Sequence, residues 1–137
     1  MRIVLDTNVI ISALIAPRSL PGAVLWHWVE GRFDLVTCEQ HIEELKRVSR
    51  YPKMKSLAPS HVVGGVVKSL RNAAEWLEKL PQVDACRDPM DNYLLAMAQA
   101  SSAAYLVSGD KADLLVMGKY GVTKIVSVRE FAGVLKI

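Results

Sequence analysis

Two short apolar runs, Ile3-Val4-Leu5 and Tyr105-Leu106-Val107, each stop abruptly at small polar residues, Asp6-Thr7-Asn8 and Ser108-Gly109-Asp110. Runs this short, without polar alternation, read as strands buried on both faces, and such strands need helices above and below them. Phe33 to Val36 and Lys124-Ile125-Val126 read as further strands. Between them lie segments of helical length. Pro21 opens a helix through about Glu30, closed by Gly31. Thr37 is placed to cap a helix from Glu39 to Arg50 that begins acidic and ends basic, the polarity that suits the helix dipole. Pro52 and Pro59 bracket a short basic turn, and Ser60 to Leu80 reads as two helices, weakened at Gly64-Gly65 and closed by Pro81. Asp88-Pro89 announces a helix from Asp91 to about Ser102, Asp110 caps a short one through Leu115, and Val128 to Leu135 is the last. Strands alternating with helices imply a three-layer α/β/α chain with a parallel sheet of four or five strands and right-handed crossovers.

A chain of 137 residues is expected to form one domain, residues 1–137. Hydrophobic residues make up 51% against 23% charged, which excludes a disordered tail and leaves apolar surface for a partner. No run of about 18 uncharged apolar residues is present, and Asp6 interrupts the first apolar stretch, so the expectation is a cytoplasmic protein without a membrane anchor. Cys38 and Cys86 belong to no metal-binding or redox motif and read as reduced, partly buried small residues. The net charge of +3 permits a nucleic-acid partner without requiring one.

In an open parallel sheet, ligands sit beyond the carboxyl ends of the strands, at the point where the crossovers change direction. Asp6 and Asp110 both fall at such ends, and Glu44 and Asp91 lie on helices that could reach them. Four carboxylates brought together repel one another unless a cation sits between them. Oxygen-only ligands suit Mg²⁺ or Mn²⁺, whose task beside a phosphodiester is to activate water and hold the charge that builds on the leaving oxygen. Each acid also has a structural use. Asp6 and Asp110 are good N-caps, Asp88 and Asp91 can start a helix, and Glu43 and Glu44 can lie on a solvated face. Spacing does not choose between these readings.

The segments "IVLDTNVIISAL", "EELKRVSRYPK", "RDPMDNYLLAMA" and "YLVSGDKADLL" resemble the four successive motifs of PIN-domain proteins, and "VSVREFAGVL" resembles the strand and helix that end that fold. The nearest likeness is to the VapC-like ribonucleases, toxins of toxin–antitoxin pairs. The resemblance implies a PIN-like fold and metal-dependent endoribonuclease activity with Mg²⁺ or Mn²⁺. It implies catalytic and metal-binding roles for Asp6, Glu44, Asp91 and Asp110, with Glu43 and Asp88 as alternative registers. It also implies support from Asn8, Ser108, Asp88 and Asp113. Met90 departs from the polar residue common at its position. A homodimer, an RNA substrate and a cognate antitoxin that blocks the cleft with a basic side chain follow from the same likeness.

"KRVSRYPKMK" carries Lys46, Arg47, Arg50, Lys53 and Lys55 without an acid, and Lys46, Arg47, Arg50 and Lys53 are the candidate RNA contacts. The bland alternative is a solvated helix end whose charges complement the dipole. Lys111 and Arg87, which flank the acids, are secondary candidates. Trp26 and Trp28 cannot share a helix face, so one should pack inside and the other lie outside. His27, His41 and His61 are isolated and unsuited to zinc, and Tyr51, Tyr93 and Tyr120 could stack on bases. Two other functions compete. A degenerate PIN domain would bind RNA or protein without cutting, against which four intact acids count. A phosphotransfer enzyme using Asp6 would want a second acid where Asn8 stands.

Overall fold

The computed structural model describes residues 1–137. The chain opens with β1 (Arg2–Leu5), α1 (Thr7–Ile15) and α2 (Leu20–Val29), continues with β2 (Asp34–Cys38), α3 (Glu39–Ser49), α4 (Pro52–Leu57) and α5 (Ser60–Ala73), and reaches β3 (Glu75–Leu77). After a 3₁₀ turn at Pro89–Asp91 come α6 (Asn92–Ser101), β4 (Tyr105–Val107), a second 3₁₀ turn at Leu115–Met117, β5 (Lys119–Tyr120), β6 (Thr123–Val126) and α7 (Val128–Leu135). All six strands join one sheet in the order β3-β2-β1-β4-β6-β5, parallel except for the β5–β6 hairpin. No single helix is long and apolar enough to cross a membrane.

Side chains of the central strands alternate between two apolar layers, as the pleat requires. Ile3, Leu5, Leu35, Val107 and Val126 face a core shared with α1, α2, α3, α5 and α7. Val4, Val36, Leu106 and Ile125 face a smaller core built mainly by α6 through Leu94, Leu95 and Met97. Burial on both faces explains why the strands read as unbroken apolar runs. Trp28 is 7% exposed within the larger core, whereas Trp26 is 59% exposed, as their spacing requires.

The structure corrects several sequence expectations. Asp6-Thr7-Asn8 is not a loop, because Asp6 is the N-cap of α1 and the helix begins at Thr7. Both faces of α1 are buried at Val9, Ile10, Ile11 and Ala13, which erases the helical period. Thr37 is the penultimate residue of β2 rather than a helix cap. The turn after Pro52 is the short helix α4, and α5 runs through Gly64-Gly65 without a break because Val63, Val66, Val67 and Leu70 keep one continuous buried face. The second half of the expected helical segment is instead the edge strand β3, and Asp110 starts a turn rather than a helix. At Gly22 a Cβ would stand 2.1 Å from the Pro17 carbonyl oxygen, so only glycine lets α2 begin this close to the chain leaving α1.

Candidate functional site

Between β1 and β4 the sheet reverses its order of addition, and both strands point their carboxyl ends at the same opening. Leu5 pairs with Val107, so the next residues, Asp6 and Ser108, stand side by side. The Asp6 backbone N–H donates to the Val107 carbonyl at 2.9 Å, which fixes its place at the strand end.

The Asp6 side chain is only 5% exposed. Its Oδ2 accepts from Ser108 Oγ at 2.8 Å, and its Oδ1 accepts from the Asn8 backbone N–H at 3.3 Å and from Thr7 Oγ1 at 3.4 Å. Burial pushes its carboxyl above the ordinary range, the three hydrogen bonds oppose that rise, and the charge of Asp110 adds to it. Asp6 therefore caps α1 through Oδ1 while its Oδ2 is held by Ser108 at the end of β4. Asn8 contributes its backbone N–H, and its own side chain is exposed.

Asp110 follows Ser108, whose Oγ accepts from the Asp110 N–H at 3.0 Å. Asp110 Oδ1 closes the turn by accepting from the N–H groups of Ala112 and Asp113, both at 3.1 Å. Asp88 caps the first 3₁₀ turn by accepting from the Met90 N–H at 3.0 Å, and that turn delivers Asp91. Asp91 is held by burial, by the charge of Asp6, by a hydrogen bond with the Asp110 carboxyl and by the charge of Asp88, and its pKa rises to about 7. Carboxylate oxygens of Asp88, Asp91 and Asp113 lie within 4.8 Å of one another. Asp91 is thus common to two sets of acids, Asp6 with Asp110 on one side and Asp88 with Asp113 on the other. Arg87 Nε, on a largely exposed side chain, reaches Asp113 Oδ1 at 2.9 Å.

Glu44 approaches from α3. Its charge bears on buried His41 and on Tyr93, whose hydroxyl lies against Thr7, while Glu43 has Glu39 and Arg71 as its charged neighbours. Glu44 thus shares Tyr93 as a neighbour with Asp6, whereas Glu43 lies beside Glu39 and Arg71. Arg47 Nη2 pairs with Glu44 Oε2 at 2.6 Å, and Arg47 also donates to the Tyr51 hydroxyl, so the expected RNA contact at Arg47 is instead tied to an acid. Lys46, Arg50 and Lys53 have no acidic partner within ion-pair distance.

Three residues stand beside the opening in roles that the sequence does not reveal. His41 is fully enclosed, its Nε2–H donates to the Leu5 carbonyl at 2.8 Å, and its Nδ1 accepts from Thr37 Oγ1 at 2.9 Å. These bonds fix the neutral tautomer, and burial lowers its pKa to about 4. Tyr93 is the second: burial pushes its hydroxyl up, and the charges of Asp6 and Glu44 add to the rise. The third is Asn92, whose Oδ1 accepts from the N–H groups of Ala85 and Cys86 at 3.1 and 2.9 Å and anchors the approach to Asp88. Its place directly after Asp91 is a signal only in hindsight. Cys38 and Cys86 are both free and buried.

The donor set at the opening consists of carboxylates, with no thiolate and no imidazole free to bind, and its unbalanced negative charge fits a hard divalent cation. The chain is 29% identical over 116 residues to the uncharacterized protein MJ1680 of Methanocaldococcus jannaschii, an alignment covering 84% of this chain and 74% of the relative. A family profile described as PIN domain matches residues 2–112, the span that holds β1, Asp6, Glu44, Asp91 and Asp110, and the chain belongs to the PIN domain family.

Proposed function

We propose that this protein is an endoribonuclease dependent on Mg²⁺ or Mn²⁺, with Asp6, Asp91 and Asp110 as the principal cation ligands and Glu44 as a further one. PIN domains are in general metal-dependent nucleases, which supports the reaction class. The observation that carries the reading is the convergence of Asp6, Asp88 and Asp110 on Asp91, whose pKa is pushed to about 7 by burial first and by those neighbouring acids second. A bound divalent cation would activate water and hold the charge that develops on phosphorus and on the leaving oxygen. The chain's own groups divide the remaining work. Ser108 orients Asp6 and, through the Asp110 N–H, sets the spacing of the two strand-end acids. The Asp110 turn brings Asp113 beside Asp88 and Asp91, where Arg87 limits its charge. Lys46, Arg50 and Lys53 supply unpaired positive charge for an RNA backbone.

The likeness of the four motifs to VapC-like proteins supports a toxin of a toxin–antitoxin pair, whose antitoxin would place a basic side chain against these acids. The homodimer expected with it would find apolar surface on α2, where Trp26 and Val29 are 59% and 60% exposed. The test is cleavage of a mixed pool of structured and unstructured RNAs with Mg²⁺ or Mn²⁺, beside EDTA and Asp6→Asn. Metal-dependent cutting that disappears in the variant establishes the reading. Equal cutting by Asp6→Asn removes Asp6 from the chemistry, and metal binding without cutting favours a non-catalytic binding module.

A further inference from the structure

The last turn of α3, α4 and the first half of α5 enclose a cleft of about 220 Å³ whose charged lining is entirely cationic: Lys46, Arg50 and Lys55. None of the three pairs with an acid. Three cations without an ion-pair partner around one concavity repel each other and raise its potential, an arrangement that favours a bound anion. Gly64 lines the same cleft within α5. Glycine inside a helix is less stable than alanine there, and packing does not require it, since a Cβ at Gly64 would meet nothing within 4 Å. What glycine leaves is bare backbone that a ligand can approach closely. Ser60, on the first turn of the 14-residue α5, also lines the cleft, and that helix start has no side-chain cap. The positive end of the helix dipole adds to the three cations.

We infer that this cleft binds one phosphate group, gripped by Lys46, Arg50 and Lys55, separately from the acid cluster. Lys46 lies two residues beyond Glu44, about 200° around the helix, and Arg50 stands about 9 Å beyond Glu44 along the axis, so a phosphate here is not the one exposed to the acids. The grip differs from the four RNA contacts expected from the sequence: Arg47 is committed to Glu44, Lys53 is absent from the lining, and Lys55, the remaining cation of that run, is part of it. The phosphate can come from an RNA strand crossing α3 or from a free phosphomonoester. The first source rests on the nuclease reading, and the second does not.

The test uses the full chain in EDTA, so that binding is read without cutting. A labelled single-stranded RNA is titrated by fluorescence anisotropy at several salt concentrations, and inorganic phosphate is titrated by calorimetry. The variants are Lys46→Gln with Arg50→Gln, Gly64→Glu, and Lys124→Gln as an exposed charge control on β6. The expected result is at least a tenfold loss of RNA affinity in the double variant and in Gly64→Glu, with the slope of log K against log salt in the double variant shallower by about one. Lys124→Gln should move affinity far less, and the melting temperature of the double variant should not fall. Saturable phosphate binding lost in the double variant, with RNA affinity unchanged, assigns the cleft to a free phosphate. Equal RNA and phosphate binding by wild type and double variant overturns the inference, as does an equal loss in Lys124→Gln. Cleavage with metal reports on the acids independently, so either proposal can fail alone.

Discussion

Ser108 Oγ donates a 2.8 Å hydrogen bond to Asp6 Oδ2 across 102 residues of sequence. The same oxygen accepts the Asp110 N–H, so one hydroxyl couples the strand-end acids of β1 and β4. Removing it leaves a buried carboxylate short of a donor and a backbone N–H without its acceptor. Ser108→Ala should destabilise the fold by about 1.5–3 kcal/mol, the range for hydrogen bonds to charged groups, and lower cleavage at least tenfold. Ser108→Thr keeps the hydroxyl and should retain most of both. Chemical denaturation beside RNA cleavage separates the two effects, and an alanine variant with wild-type stability would show that Asp6 does not need this bond.

The crowding of Asp91 makes stability depend on pH with a definite sign. Its folded pKa of about 7 exceeds the ordinary 3.8, so the folded chain holds a proton that the unfolded chain releases in between. The stabilising contribution is complete below about pH 4 and is lost as pH rises through 7. A cation replaces that proton. Mn²⁺ should therefore raise the melting temperature more at pH 8 than at pH 6, and Asp91→Asn should raise it at pH 8 without metal while abolishing the Mn²⁺ response. A metal response that is equal at both pH values would separate Asp91 from the cation.

β1, β2, β4 and β6 were legible because their apolar residues are buried on both faces of the sheet, and α7 was legible as a segment from Val128 to Leu135, which the structure starts with a capping box of Ser127 and Glu130. Other elements left no comparable trace. α1 shows only Asn8 and Ser12 as an exposed polar stripe among apolar residues, β5 spans two residues, and β3 offers only Glu75-Trp76-Leu77. At the site, the spacing of Asp6 and Asp110 from their strand ends allowed their convergence, which needed only that β1 and β4 be neighbours. Where Glu43 and Glu44 point depends on the rotation of α3 against α1 and α6, which no local pattern records. His41 carries no sequence signal because its partners are a backbone carbonyl and a strand residue, Thr37.

Arg47 holds Glu44 at 2.6 Å on a half-exposed surface, where solvent screening keeps the pair weak. A cation that uses Glu44 must compete with that guanidinium. Arg47→Gln should strengthen Mn²⁺ binding by up to about fivefold, with little change in melting temperature. Calorimetric titration of the metal into both proteins reads this directly, and an unchanged affinity would place Glu44 outside the reach of the cation.

His41 joins the end of β1 to the start of α3 in its neutral form, and its pKa of about 4 lies below the usual 6.5. The unfolded chain therefore binds a proton that the folded chain refuses between those values. Its contribution is complete above pH 6.5 and is lost as pH falls toward 4, amounting to about 3 kcal/mol at most. Asp91 acts in the opposite direction over the same range, so the wild-type profile partly cancels and does not isolate either group. The difference between wild type and His41→Leu does. That variant should lose about 2–3 kcal/mol at pH 7.5, because the Leu5 carbonyl and the Thr37 hydroxyl lose their partner. The gap should narrow as pH drops from 6.5 to 4. Because the Leu5 carbonyl immediately precedes Asp6, the variant should also weaken Mn²⁺ binding at pH 7.5. A gap independent of pH would mean that His41 is not held neutral, and unaltered metal affinity would confine it to supporting the fold.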